Sequence, residues 1–496
     1  MTTGDDAQFF QTLADQSKNP NERPQFRKYI PKALNKLRDI SLHEGIYKQC
    51  LRFLANSCSE EDDNRATFFS DGGLDVLKTY CAKADENSAL AFAVIHNCIL
   101  DSKEYRARVA ETEILHLAIT YWIDWQPKLR TPFINMLSVI CELLYPFSKD
   151  AALVFTGLQV LPSMIREEID SYSIFTKAFD NPSICVSFAK NPAILIDSME
   201  LVLMQRDFPQ KIPILNLFPR IAEHDGVFST DLHKNASFLE LLKTYLLSND
   251  SPRITMAALF VGNLARNDHI SKALFRENFS EILVACILKE KKIDDNVGKI
   301  YACSAALRHF MIPLSSRAHF AATSLLLQDK MLRSSYSQLH YLSVSMIRLS
   351  MPYILCKLVS EPERFEKLRE CTKSPDTNLA LESNRAMLAF IKHALILPNS
   401  CPKISKFLHD NISVFQDSVL TTITMVNNYP IVTGEAVFVA ILMIKHGFAG
   451  LCETIRLSSA YGILQSYSKD PKYAHELKQN VLALLVLMDK DSKKTE

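Results

Sequence analysis

The sequence predicts an all-α protein built from stacked helical repeats, and two observations support this fold class. Glycine is scarce, with only 12 residues among 496, although sheet-rich folds and phosphate-binding loops use glycine at turns that need a positive φ. Apolar side chains also recur at the three- and four-residue spacing of an amphipathic helix along most of the chain. Because hydrophobic residues make up 48% of the sequence, a large core is expected.

A repeated helical unit can be traced along the chain, because a polar residue recurs at the same position on the last helix of each unit. Asn56 and Asn97 lie 41 residues apart. The same position then recurs about every 39 to 46 residues, with one double interval, at Glu142, Arg220, Asn263, His309, Arg348 and Lys392. A period of about 42 residues is typical of armadillo and HEAT arrays. We therefore expect an armadillo/HEAT-like, right-handed superhelical solenoid of about ten repeats, with a groove lined by the last helix of each unit.

The solenoid is expected to run without interruption from residue 26 to residue 490. Residues 1–25 are polar and are expected to be a frayed end or a short capping helix, and residues 491–496 are a charged tail. Because no long Pro/Gly-rich linker interrupts the repeats, the sequence predicts one continuous array rather than separate domains.

Residues 255–270, TMAALFVGNLARNDHI, show the predicted helix most clearly. Wound as one helix, they would place small and branched apolar side chains on one face and Asn263, Arg266 and Asn267 on the other. The two amides would then lie one turn apart on a single ridge. Such amides would either contact a partner in the groove or tie neighbouring repeats together.

The overall composition argues against several classes of protein. The 56 Lys and Arg residues nearly balance the 55 Asp and Glu residues, which does not favour a nucleic-acid binder. The 12 cysteines lack C-x-x-C spacing, so we expect free thiols in a reducing compartment. We therefore expect a cytoplasmic protein with no cofactor and no membrane insertion. No constellation for covalent catalysis is visible, so an enzyme is not expected.

An acidic run at residues 59–63 has two interpretations. It is either a solvated loop between helices, or a surface that attracts a basic tail on a partner. The sequence alone leaves both open.

Four segments resemble, in order, consecutive helices of one known family. They are residues 257–268 (AALFVGNLARND), 304–320 (SAALRHFMIPLSSRAHF), 339–349 (LHYLSVSMIRL) and 382–394 (ESNRAMLAFIKHA). The family is that of the armadillo guanine-nucleotide dissociation stimulators of small GTPases, the SmgGDS family. His309 stands where that family has Asn, and Lys392 stands where it has Arg.

The resemblance implies a protein that binds small GTPases, above all Rho-type GTPases with a basic, prenylated C-terminal tail. It further implies that the protein promotes guanine nucleotide release as an atypical exchange factor, or acts as a chaperone. The family's two GTPase-contacting Asn residues match Asn263 and Asn267. Together with the repeat positions, the candidate GTPase-binding residues are Asn56, Asn97, Asn263, Arg266, Asn267, Arg308, His309, Asn384, Arg385, Lys392 and His393.

An isoprenoid would need an apolar slot between C-terminal repeats. Phe438, Ile441 and Leu442 are available for such a slot, although the same residues would equally suit a core. The repeat array alone also fits a non-catalytic scaffold or a peptide-cargo adaptor. An adaptor would bind extended peptides without regard to the nucleotide state of a GTPase.

Overall fold

The structure, a computed structural model, describes residues 3–39, 41–83, 85–110, 112–114, 132, 135–136, 139, 172–204, 211–396, 402–425, 430–448, 450–469 and 475–495. Within these ranges the chain forms α-helices, short 3-10 helices and turns, and none of these residues lies in a strand. The predicted all-α class is therefore confirmed. The chain divides into two compact units, Met1–Leu241 and Leu242–Glu496.

The first unit contains short helices separated by tight turns. Its described helices are α1 (Thr3–Gln16), α2 (Ile30–Arg38), α3 (Glu44–Ser57), α4 (Asp62–Ser70), α5 (Gly73–Cys81), α6 (Glu86–Ile99), α7 (Lys103–Ala110), α8 (Tyr172–Phe179), α9 (Pro182–Lys190), α10 (Pro192–Met204) and α11 (Lys211–Leu215). The 3-10 helices of this unit are Pro20–Tyr29, Phe218–Glu223, Asp225–Ser229 and Leu232–Lys234. Helix α12 (Ala236–Leu246) contains the division between the two units.

Helices α1, α3 and α6 pack in succession, with α2 against α3 and α5 against α6. The turn between α4 and α5 has the sequence Asp-Gly-Gly at residues 71–73. Gly72 there has a φ of 73°, in the left-handed region that favours glycine. A Cβ atom at Gly73 would lie 2.4 Å from the Phe68 ring, so only glycine fits at this approach.

Asparagine side chains tie successive helices of the first unit together. The Asn56 Nδ2 donates to the Ala14 carbonyl oxygen at 2.8 Å, and the Asn97 Nδ2 donates to the Ala55 carbonyl oxygen at 2.8 Å. Both acceptors lie in the last turn of the preceding helix, where backbone carbonyls lack partners within the helix. These two amides therefore join neighbouring repeats.

The second unit contains longer helices. They are α13 (Ser251–Leu264), α14 (Asp268–Arg276), α15 (Phe279–Lys289), α16 (Val297–Phe310), α17 (Ala321–Met331), α18 (Ser337–Ser360), α19 (Pro362–Cys371), α20 (Thr377–Ile396), α21 (Pro402–Asp410), α22 (Ile412–Met425), α23 (Pro430–Lys445), α24 (Leu451–Arg456), α25 (Ser459–Lys469) and α26 (His475–Thr495). Helices α13, α16, α18, α20, α23 and α26 pack one on the next. We call these six helices the stacked helices.

Close packing explains the residue choice along the stacked helices. A Cβ atom at Gly262 on α13 would lie 3.1 Å from the Ala306 Cα on α16, so small residues let these two helices approach. Further along, Phe365 packs against Phe390 and Phe407, with ring centroids 5.6 and 4.8 Å away, and Phe415 stacks on Phe390 at 5.5 Å. Edge-on and offset aromatic contacts of this kind stabilise a core beyond the area they bury.

The prediction of one helix over residues 255–270 is wrong. Helix α13 ends at Leu264, and Asn267 has extended φ and ψ values of −88° and 124°. The Asn267 side chain accepts hydrogen bonds from the backbone N–H groups of His269 and Ile270 at 3.0 and 3.2 Å. Asn267 is thus the N-cap of α14, and the two amides do not share a ridge on one helix.

Three further expectations are refined by the structure. The N-terminal segment is helical rather than frayed, because α1 buries Phe10 completely and packs on α3. Helix α26 continues through residues 491–495, which were expected to be a tail. Arg220 lies in the 3-10 helix Phe218–Glu223 rather than on a long repeat helix. Glu142 lies outside the described residues.

Helix α18 is long and apolar enough to cross a membrane by length and composition, and it is the one such helix among the described residues. In this fold, 67% of its most apolar window is buried inside the protein. It also carries Arg348, whose guanidinium pairs with Glu382 on α20. Helix α18 therefore forms part of the core of the second unit.

Replacing Asn267 with alanine is expected to lower the free energy of unfolding by about 1 kcal/mol, because the first turn of α14 would lose its side-chain acceptor. Urea unfolding followed by circular dichroism measures this change. Asn267→Asp keeps the acceptor and serves as the matched control, which should retain most of the stability. Equal stability of the Asn267→Ala variant and the parent protein would show that the cap contributes nothing.

Candidate protein-binding site

Charged side chains cross from one stacked helix to the next in the second unit. The Glu382 carboxylate on α20 accepts from Arg348 Nε on α18 at 2.7 Å and from Arg385 Nη1 at 3.2 Å. Arg385 in turn forms a two-pronged pair with Glu435 on α23, with both N···O distances 2.8 Å. The Glu382 side chain is only 4% exposed. This chain of ion pairs fixes the relative positions of α18, α20 and α23.

These helices enclose a cleft of about 160 Å³ on one face. The cationic residues that line it are Arg317, Arg348, Arg385 and Lys392. Since the two carboxylates paired with the arginines, Glu382 and Glu435, neutralise only two of these charges, the cleft keeps an excess of about two positive charges. The rest of its wall is formed by Leu349, Leu388, Ala389, His393, Glu435, Phe438 and Val439.

Two cationic side chains of the cleft, those of Arg317 and Lys392, form no ion pair with a carboxylate of the described residues. Arg317 donates to the backbone carbonyl oxygens of Met311 and Ile312 at 3.1 and 2.8 Å. The Lys392 ammonium lies over the ring of Phe438, 5.6 Å from its centroid. Phe438 is 38% exposed, so the cleft offers an anion-binding edge beside an aromatic surface.

The pKa values of two cleft residues are lowered, mainly by burial and further by neighbouring positive charges. Burial lowers the pKa of the Arg317 guanidinium, and the charge of Arg348 lowers it further. Burial also lowers the pKa of His393, and the charges of Lys392 and Arg317 act in the same direction. An anion that entered the cleft would relieve the repulsion between Arg317 and Arg348.

A second polar cluster lies where α13 and α16 end. Arg308 Nε donates to Ser345 Oγ on α18 at 2.7 Å, which extends the cross-helix contacts by one helix. Burial lowers the pKa of His309 to about 4, and the charges of Arg308 and Arg266 add to this effect. Arg266 is exposed and Asn263 is half-buried. These residues thus form a cationic surface with a neutral imidazole in it.

The low pKa of His309 predicts that stability falls as the pH is lowered. In the unfolded chain the histidine pKa is about 6.5, whereas in the folded protein it is about 4. Between these values the unfolded state binds more protons, so the loss begins near pH 6.5 and reaches at most about 2 kcal/mol at pH 5. Urea unfolding of the parent protein and of the His309→Gln variant at pH 7 and pH 5 measures this loss of stability. An equal pH effect in the two proteins would contradict the assignment.

The structure separates the predicted site residues into groups. It brings Arg385, Lys392 and His393 together in the cleft, and it places Arg266, Arg308 and His309 in the second cluster. Asn384 is only 2% exposed and its Nδ2 donates to the Ala380 carbonyl oxygen of its own helix, so its side chain is not available to a partner. Asn56 and Asn97 bind carbonyls of the preceding helix.

Four important residues at the cleft were not among the predicted site residues: Arg317, Arg348, Glu382 and Glu435. Of these, Arg348 was marked only as a repeat position. Arg317 lies in the turn after α16, where helical periodicity gives no signal. Glu382 and Glu435 were missed because the repeat pattern follows one position from unit to unit. It does not identify the carboxylates that pair with the residues at that position. Phe438 was noted in the sequence for an apolar slot, whereas Ile441 in the same segment is only 8% exposed and belongs to the core.

The acidic run at residues 59–63 is largely paired within the chain. Arg23 Nη1 binds a Glu60 carboxylate oxygen at 3.1 Å, and Arg27 Nη1 binds Asp63 at 3.2 Å. Arg65, almost completely buried, binds Asp62 at 3.1 Å. These internal ion pairs favour the first interpretation. The run is then a loop and the first turn of α4, and arginines of the same chain neutralise its negative charges.

The stacked helices, their cross-helix side-chain contacts and the cleft on one face define an armadillo-like helical-repeat protein. One relative supplies a more specific comparison: the GTPase-GDP dissociation stimulator arz1 of Schizosaccharomyces pombe is 60% identical over 490 residues, which cover 99% of this chain and 100% of that protein. This chain belongs to the same family of GTPase-GDP dissociation stimulators. In addition, a family profile described as the BEM4 N-terminal domain matches residues 9–211.

Three solved structures are similar to this chain at low sequence identity. An engineered protein is 15% identical, with a TM-score of 0.50, and the match covers 93% of this chain and 98% of that one. A structure from work on the interaction between cadherin and β-catenin is 13% identical over 97% of both chains with a TM-score of 0.47. A designed armadillo repeat protein is 15% identical over 50% of this chain and 99% of its own, with a TM-score of 0.39.

Proposed function

We propose that this protein binds a small GTPase and stimulates the release of its bound GDP. The observation that carries the proposal is the 60% identity, over essentially the whole of both chains, to a relative named as a GTPase-GDP dissociation stimulator. The cation-rich cleft on α18, α20 and α23 supports it, because such a cleft suits the carboxylates of a partner's loop.

Release of GDP needs no covalent chemistry from this chain. A protein that binds the nucleotide-free GTPase more tightly than the GDP-bound form shifts the population toward the empty form. Arginine and lysine side chains that capture an acidic loop in its displaced conformation would provide that difference in affinity. The ion pairs through Glu382 hold Arg348 and Arg385 in place beforehand, which reduces the entropy lost on binding.

The proposed contact surface follows from the positions of the candidate residues. In the cleft it comprises Arg317, Arg348, Arg385, Lys392, His393 and Phe438. The second cluster contributes Arg266, Arg308, His309 and Asn263. Asn267 contributes only the part of its side chain that does not accept the two capping hydrogen bonds. Asn56 and Asn97 remain candidates by their repeat position alone. Asn384 is left out because it is buried.

We further propose that the partner is a Rho-type GTPase with a basic, prenylated tail, and that the protein also acts as its chaperone. The family resemblance of the four ordered segments supports this. The excess positive charge of the cleft implies that a basic tail would bind elsewhere, while the cleft holds the acidic part of the GTPase. A cytoplasmic location is part of the proposal, and the ten free cysteines among the described residues support it.

A binding assay across nucleotide states tests the proposal. Purified protein is mixed with a Rho GTPase that is nucleotide-free, GDP-loaded or GTP-loaded, each with and without its C-terminal tail. We expect at least about tenfold tighter binding to the nucleotide-free form, a difference of about 1.4 kcal/mol. Equal binding to all three forms would indicate a scaffold, and binding to none of them would contradict the proposal.

A further inference from the structure

A second cleft in the second unit lies between the end of α15 and helix α17. Residues 288–295, from the last turn of α15 and the segment after it, line one side, and residues between 326 and 333 line the other. The cleft has a volume of about 770 Å³, which is in the usual range for a ligand-binding cavity. The Lys330 Nζ donates to the Leu288 carbonyl oxygen at 2.7 Å and so joins the two sides. We call this the α15–α17 cleft.

Three of the four carboxylates in the α15–α17 cleft already have partners within the chain. The partners are Lys299 for Glu290, Arg364 for Asp329, and the hydroxyl groups of Ser334 and Ser335 for Asp294. The Asp329 pair measures 2.6 Å, and the bond from the Ser335 hydroxyl to Asp294 measures 2.9 Å. Because Lys299 and Arg364 do not line the cleft, they neutralise two of its carboxylates from outside.

The cations of this cleft therefore outnumber the carboxylates that remain. The cleft is lined by five cationic side chains, which are Lys289, Lys291, Lys292, Lys330 and Arg333. Lys289 donates to the neutral amide oxygen of Asn249 at 2.9 Å. The lysines at 291–292 and Arg333 are exposed, and they form no ion pair with a carboxylate in the part of the chain that the structure describes. Only Asp294 and Asp295 stand against the five cations, which leaves an excess of about three positive charges.

Two exposed leucines lie among these charges. Leu288 and Leu326 are 41% and 54% exposed, and they line opposite sides of the cleft. A dense polyanion such as a phosphate chain would gain nothing from the leucines, and Asp295 would repel it. An extended polypeptide fits better, because successive side chains point to opposite sides of a strand. Its carboxylates can reach the lysines while its apolar side chains cover the leucines.

We propose that the α15–α17 cleft binds an extended, acidic segment of a partner protein, in which apolar side chains alternate with carboxylates. The carboxylates pair with Lys291, Lys292 and Arg333, and the apolar side chains pack on Leu288 and Leu326. The positive potential of the cleft speeds the encounter with such a segment and disfavours basic ones. No residue of this cleft lines the cation-rich cleft on α18, α20 and α23, so the inference is independent of the proposed function.

Fluorescence anisotropy with the full-length protein tests the proposal. The probe is a fluorescein-labelled synthetic peptide in which pairs of Glu separate single Leu residues, and its control has Lys in place of every Glu. We expect saturable binding of the acidic peptide and none of the basic one. The double variant Lys291→Glu, Lys292→Glu should bind the acidic peptide at least about tenfold more weakly, because it reverses the excess charge of the cleft. Absence of saturable binding by the parent protein, or equal binding by the double variant, would overturn the proposal.

Matched variants separate this cleft from total charge and from the cation-rich cleft. Lys403→Glu combined with Lys406→Glu makes the same change of net charge at exposed positions on α21, and it should leave peptide binding unchanged. Lys392→Glu should also leave it unchanged, so the result does not depend on whether the protein binds a GTPase. Weakening by either control equal to that of the double variant at residues 291–292 would contradict the assignment to the α15–α17 cleft.

A last comparison separates a polypeptide from a simple polyanion. Leu326→Ala should weaken binding of the acidic peptide about threefold, because an exposed apolar contact is lost while the charge is kept. Inositol hexakisphosphate, which has no apolar groups, should displace the labelled peptide only at a higher concentration than the unlabelled peptide does. Displacement at a lower concentration, together with unchanged binding by Leu326→Ala, would identify a phosphate site and overturn the proposal.

Discussion

Glu382→Ala is expected to lower the free energy of unfolding of the second unit by about 3 kcal/mol. The carboxylate is only 4% exposed and accepts from both Arg348 and Arg385. Its removal leaves two partly buried guanidinium groups close together without their shared counter-ion, and breaking a buried ion pair from one side costs about 3–5 kcal/mol. The lower end applies because both arginines keep some contact with water, with side chains 17% and 21% exposed.

Urea unfolding followed by circular dichroism measures this loss. Glu435→Ala is the matched control, because Glu435 binds Arg385 equally closely but is 39% exposed. An exposed pair contributes at most about 1 kcal/mol. If the two variants proved equally stable, the buried carboxylate would not be the link that holds α18 and α20 in register.

Lys392→Glu is expected to weaken the complex with the GTPase by at least about tenfold, or about 1.4 kcal/mol. The substitution removes two units of positive charge from the cleft, whose excess is about two, so its attraction for an acidic loop is abolished. Lys392 is exposed and contacts the Phe438 ring, so the fold should keep its stability to within about 0.5 kcal/mol.

A binding titration with the nucleotide-free GTPase at two salt concentrations tests this prediction. Lys403→Glu on α21 makes the same change of net charge at an exposed site outside the cleft, and it should leave the affinity unchanged. If both substitutions weakened the binding of the GTPase equally, the affinity would depend on the total charge of the protein and not on the cleft.

Much of this fold could be predicted because its signals are local or periodic. The scarcity of glycine and the helical spacing of apolar residues indicate an all-α chain. Repeat spacing also found Arg348 and Lys392, since both lie on stacked helices at the cleft. The number of repeats, the handedness of the array and its continuity remain predictions.

The errors have a common physical cause, which is that periodicity ignores local hydrogen bonds and counter-ions. Asn267 followed by Asp268 is an N-cap signal, but the apolar pattern continued across it and suggested one long helix. Asn384 was assigned to a surface by resemblance, although its amide satisfies a carbonyl of its own helix. Arg317 enters the cleft from a turn, so no helical pattern could have identified it.

Release of a fluorescent GDP analogue from a Rho GTPase is the most direct test of the claim that this protein empties a GTPase through its cation-rich cleft. We predict faster release with the parent protein and with Lys403→Glu, and release near the intrinsic rate with Lys392→Glu. Release no faster than in buffer with the parent protein, or full stimulation by Lys392→Glu, would contradict the claim.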